Sequence, residues 1–178
     1  GRGTTRGGIR GSARDRAGYR NLVRLSSIGY LEGYYRRPRI DRETLERHSE
    51  GLVCLSACLT GEVALWLRAG SWERARESAE WHQRTFGPGN YWLEVQEHGI
   101  AEEKTVQEGV FRLADEMGLG VVVTNDAHYL RREDAPAHDV LLAIGTGKDL
   151  DDPKRFRFEG TESYVKSEEE MAHLFPGR

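Results

Sequence analysis

Three short apolar runs punctuate this chain: GLVCLSAC at 51–58, YWLEVQEHG at 91–99 and VVVTNDAHY at 121–129. Their length and their content of β-branched and aromatic residues predict strands. Between them lie longer segments with helical spacing, among them SWERARESAEWHQRTFG, which sets Trp72, Ala75, Ala79 and Phe86 on or near one face. IAEEKTVQEGVFRLADEMG is a further helix, ended by Gly118. Strands that are apolar on both faces and alternate with helices predict a parallel α/β architecture, with Val121, Val122 and Val123 buried. Upstream, Leu22, Leu25, Ile28 and Leu31 recur at spacings of three and predict another helix. Pro38 breaks that pattern, and Asp41 caps a short helix in DRETLERHSE. EVALWLRAG is opened by Thr60 and Gly61, and the second half of REDAPAHDVLLAIGTG is helical as well.

In parallel α/β folds ligands gather at the carboxyl ends of the strands. The three ends here read SAC, QEHG and NDAH, and each carries a metal ligand or an acid–base group. Asp126 and His128 are two residues apart, so on extended backbone both side chains lie on the same side. That points to a metal, although Asp and His also fill turns and caps. Cys58 is a ligand candidate or a small buried residue, whereas Cys54 faces away and belongs to the core. His138 is expected to cap or pack its helix, and His48, His82 and His173 to be solvated. Trp66, Trp72, Trp81 and Trp92 read as core. Arg36, Arg37 and Arg39 leave two readings open, a phosphate-backbone contact through residues such as Arg37 and Arg39 or a solvated loop paired with Asp41 and Glu43.

The net charge of −3 hides an asymmetry: residues 1–17 hold five Arg and one Asp, +4, which leaves −7 for the remainder. The body is therefore no general sink for nucleic acid. No run approaches the roughly 18 apolar residues of a membrane-spanning helix, and two cysteines make no disulfide framework. A cytoplasmic protein from a reducing compartment, without a membrane partner, is expected. Residues 1–13 offer Ile9 as their only sizeable apolar side chain and are expected to be a flexible Gly/Arg-rich tail or an expression scar. The first residue is not Met, so a piece of a longer protein is expected.

The series GYRNLVRLSSIGYLEGYYRRPRID, HSEGLVCLSACLTGEV, YWLEVQEHG, TNDAHYLRREDAPAHDVLLAIGTGKDLDD and RFEGTESYVKSEEEM resembles the polymerase and histidinol phosphatase (PHP) domain family, in the form carried by the alpha subunits of bacterial DNA polymerase III. The resemblance implies a partial distorted (βα)7 barrel, with residues 14–178 as the second half of the domain and 155–178 as an exit toward the polymerase core. It implies a cluster of divalent metal ions (Zn, Mn or Fe) at the strand ends, a 3′-5′ exonuclease role in members that keep every ligand, and Mg for the parent polymerase. Asp126 and His128 match the last ligand pair of the family and Cys58 a further ligand position, with His98 and Glu94 expected to orient them from behind. The family's earlier histidine and glutamate ligands have no counterpart in this chain, so the cluster is expected to be incomplete and the chain alone inactive. The implied partners are DNA and other replicase subunits, including the proofreading subunit and the sliding clamp. Two further functions fit the same residues: a metal-poor scaffold for the polymerase, or a stand-alone phosphoesterase such as histidinol phosphatase.

Overall fold

The structure is a computed structural model that describes residues 7–177. Its centre is the strand β3 (Tyr91–Val95), in which Leu93 and Val95 are fully buried. In chain order the elements are β1 (Arg10–Ala13), α1 (Arg16–Leu31), α2 (Arg42–Arg47), β2 (Leu52–Leu55), α3 (Glu62–Arg68), α4 (Trp72–Phe86), β3, α5 (Ala101–Met117), β4 (Val121–Val123), α6 (Ala135–Thr146) and α7 (Glu168–Leu174). A turn of 3-10 helix, Arg132–Asp134, leads into α6.

The strands form one sheet in the order β1-β2-β3-β4. The pairs β2–β3 and β3–β4 are parallel, as the alternation of strands and helices predicts, and β1 runs antiparallel to β2. Among the described residues this is a mixed α/β sheet and not a closed barrel. On it sits a core built from Val63 and Leu67 of α3, Ala75 and Ala79 of α4, and Val110 and Leu113 of α5. The alanines let α4 lie close to its neighbours, where larger side chains would hold the backbones apart. Local signals end the helices as the residues predict: the Asp41 carboxylate accepts from Thr44 N–H at 2.8 Å, and Gly118 adopts the left-handed conformation behind α5.

Four readings need correction. Residues 10–13 are an ordered edge strand, not a flexible tail, while residues 1–6 lie outside the described residues. All four β1 residues are exposed, and the strand is held by its main chain, continued by Gly8 N–H to Thr60 O at 2.9 Å and Arg14 N–H to Gly51 O at 2.8 Å. Such a strand needs no apolar alternation, which is why the composition concealed it. β4 is the opposite edge, so Val123 is exposed where three β-branched residues suggested burial. His82 is buried and not solvated, its ring stacked on Tyr91 at 5.2 Å. Trp92 stands at the exposed surface over Gly120, whereas Trp66, Trp72 and Trp81 are half-buried against the core. The helix α7, which carries His173, starts at a capping box formed by Ser167 and Glu170.

Candidate metal centre at the strand ends

The parallel strands β2, β3 and β4 deliver their carboxyl ends to one edge, and antiparallel β1 delivers its first residue to the same edge, since Arg10 lies opposite Leu55. There the Arg10 guanidinium approaches Glu94 Oε1 at 3.1 Å and Asp126 Oδ1 at 3.8 Å, so one cation stands between two carboxylates. Glu94 is fully buried, an unusual position for a carboxylate. Its Oε1 also accepts from the Thr124 hydroxyl, and the Ser56 hydroxyl accepts from its backbone N–H at 2.8 Å. Its Oε2 is buried with no hydrogen-bond partner among the described residues. A buried acceptor left bare is costly, and a bound cation or water would relieve it.

Asp126 and His128 meet as their spacing predicts, with Oδ2 and Nε2 3.2 Å apart, and both remain accessible. The His128 ring rests against Phe158 at 4.5 Å and His138 at 5.4 Å. His138 therefore packs against His128, and its ring also meets Tyr129 and Phe158.

Behind this pair His98 is locked in place. Its Nδ1 meets Glu103 Oε1 at 2.8 Å and its Nε2 meets Asn125 Oδ1 at 3.2 Å, while Asn125 is oriented by donating to Tyr164 O at 2.6 Å. The Glu103 carboxylate raises the imidazole above its usual range against the opposing effect of burial. The backbone N–H of Asp126 donates to Nε2 at 3.3 Å, so His98 braces the loop that carries Asp126 and His128.

Cys58 is half-buried, and burial pushes its thiol up to about 11, with Glu103 and Glu94 adding to the rise. It is a neutral thiol at physiological pH, and a thiolate there needs a cation to form. Cys54, wholly buried, is pushed up to about 12, chiefly by burial. Among the described residues no three His, Cys, Asp or Glu side chains converge as a metal-holding group. Asp126 and His128 come together, Glu94 lies one guanidinium away, and Cys58 does not complete a set with them. Arg10, Glu103 and Asn125 were not anticipated. The Glu103 position within the first turn of α5 carried a signal, since an acidic residue there caps the helix, but Arg10 sat in a segment that composition marked as tail.

Arg37 and Arg39 fall in the loop after α1. In the same loop region Asp41 accepts from Thr44 N–H at 2.8 Å, and Glu43 pairs with Arg47 at 2.6 Å. No helix among the described residues is long and apolar enough to cross a membrane.

The sequence of residues 10–98 matches the family described as PHP domain. The chain is 49% identical over 164 residues to a DNA polymerase III subunit alpha from Treponema pallidum (strain Nichols), an alignment that covers 92% of this chain and 14% of that protein. It is 44% identical over 163 residues to the DNA polymerase III subunit alpha of Borreliella burgdorferi, again over 92% of this chain and 14% of the relative. The corresponding protein of Deinococcus radiodurans is 47% identical over 164 residues, 92% of this chain and 12% of the relative. The chain thus spans about one seventh of the length of the relatives it matches.

Proposed function

This chain belongs to the PHP domain family, and from that membership we propose that it is part of the metal-binding PHP domain of a bacterial replicative DNA polymerase. The observation that carries the reading is the accessible Asp126–His128 pair at a strand end, beside a buried Glu94 whose Oε2 lacks a partner among the described residues. Imidazole and carboxylate donors suit Zn, Mn or Fe. Asp126 and His128 would hold such an ion, with Cys58 as a third donor and His98 and Glu94 fixing the loop and strand behind them. A bound divalent ion supplies activation of water and neutralisation of charge on a phosphate under attack, the chemistry of 3′-5′ removal of nucleotides. In the parent protein, DNA synthesis would use Mg, the partners would be DNA, the proofreading subunit and the sliding clamp, and the location would be the cytoplasm.

A second reading has its own support. The described residues bring only two protein ligands together, which suits a domain kept to stabilise the polymerase more than one that cleaves DNA. The two readings separate in the parent polymerase carrying Asp126→Ala or His128→Ala. Under the first, bound transition metal measured by mass spectrometry falls together with any 3′-exonuclease rate, and primer extension is retained. Unchanged metal content in both variants would falsify it. Metal affinity should also weaken at acidic pH, because ligation needs deprotonated donors.

A further inference from the structure

The outer face of α1 differs from the rest of the surface. Projected at 100° per residue, Arg16, Tyr19, Arg20, Val23, Arg24 and Tyr30 share one arc, opposite the buried Gly18, Leu25 and Gly29. The helix contains three arginines and no carboxylate. The loop that follows adds Arg36, Arg37 and Arg39, against one acid, Glu32, between residues 16 and 39. Among the described residues none of these six arginines forms an ion pair with a carboxylate, and they are gathered on one short stretch that carries a single acid. In a chain whose net charge is −3, this is a concentrated and unneutralised positive surface.

Aromatic rings are interleaved with that charge. Tyr19, Tyr30, Tyr34 and Tyr35 are 63%, 62%, 59% and 61% exposed, values far from those of core tyrosines. Tyr30 and Tyr34 already stack, with centroids 6.3 Å apart and planes at 26°. The Arg36 and Arg39 guanidinium groups lie over the Tyr35 ring at 5.8 and 5.4 Å. Beside Tyr30 and Arg39 opens an apolar cleft of about 260 Å³, walled by Leu22, Leu25, Pro38 and Leu45.

We propose that the outer face of α1 and the loop 34–39 bind single-stranded nucleic acid, the arginines following the phosphates and the exposed tyrosines stacking on bases. Charge complementarity selects a polyanion, and open ring faces select one whose bases are unpaired, since a duplex hides its base faces. This binding belongs to a different surface from the Asp126–His128 pair, so it does not depend on the metal reading.

The test is fluorescence anisotropy of the whole chain with a labelled oligothymidylate of about 15 nucleotides, in the range of single-strand sites, across a salt series. Arg20→Glu combined with Arg24→Glu should weaken binding at least tenfold and lower the salt slope by about 1.4, at roughly 0.7 per phosphate contact. Tyr30→Ala with Tyr34→Ala should weaken it by about fivefold or more per ring with little change of slope, and the Tyr→Phe pair should keep the affinity. Arg84→Glu with Lys104→Glu, exposed residues on α4 and α5, carries the same charge change and should have a much smaller effect. An oligouridylate of equal length distinguishes the sources: a tenfold preference for either strand assigns that chemistry. Circular dichroism on every variant keeps folding separate from binding. The proposal is overturned if the chain does not bind oligothymidylate at low salt, if the control pair weakens binding as much as the α1 pair, or if a duplex binds more tightly than the single strand.

Discussion

His82 has the most direct pH consequence of any single residue here. Burial lowers its imidazole below the usual range, against the Ser78 carbonyl, which lies 2.7 Å from Nδ1 and favours the charged ring. A histidine kept neutral in the fold but free to protonate when unfolded gives stability that is fully present above about pH 6.5 and is lost as pH falls toward the folded value. His82→Gln, which can still donate to Ser78 O, should remove that part of the pH dependence. Urea midpoints at pH 7.5 and 5.5 for the two proteins measure it, and an unchanged difference between them at the two pH values would exclude the assignment. Arg10 invites the opposite experiment. Its guanidinium already occupies the cationic position between Glu94 and Asp126, so a divalent ion must compete with it. Arg10→Ala should raise the affinity of the chain for Mn²⁺ severalfold in a calorimetric titration; equal or weaker binding would mean that the arginine does not compete.

Elements meet at places where side-chain volume is forbidden. The α1 helix approaches the turn before β2 so closely that a Cβ on Gly18 would lie 1.8 Å from the Gly51 carbonyl oxygen. In an open helix Gly→Ala gains up to about 1 kcal/mol. Gly18→Ala should instead lose roughly 1–3 kcal/mol, because the obstructing atom is backbone and cannot rotate away. Gly145 on α6 has nothing within 4 Å of such a Cβ, so Gly145→Ala should be neutral or stabilising. Denaturant midpoints of the two variants carry the comparison, and a Gly18→Ala protein as stable as the original would show that α1 can shift outward at little cost. The contrast also explains what the residues disclosed. Helices α1 to α5 and the parallel strands were legible because each is written in local spacing, caps and apolar runs. β1 was not, since its anchorage is the main chain of β2. The burial of β4 was misjudged because composition says nothing about which strand lies at an edge. At the site, Asp126–His128 was legible from a spacing of two, while Arg10, Glu103 and Asn125 reach it only through tertiary contacts.

At the scale of the whole molecule the question is how much chemistry about one seventh of its relatives' length can support. Hydrolysis of a phosphodiester by paired metals needs two ions held about 3.5–4 Å apart, each fixed by several protein ligands so that water and phosphate are presented in line. The described residues bring together one carboxylate and one imidazole, with Glu94 screened by Arg10 and Cys58 a neutral thiol. Two donors hold a single ion loosely at best, because binding free energy grows with the number of fixed ligands and the remaining positions go to water. The chain by itself should therefore neither shorten a mismatched 3′ end nor extend a primer, even with millimolar Mn²⁺ or Mg²⁺. A labelled primer–template incubated with the purified chain and resolved by length is the measurement. Nucleotide removal that disappears in Asp126→Ala would overturn the expectation, for it would mean that ligands not converging in this arrangement assemble a working centre when metal and DNA arrive together.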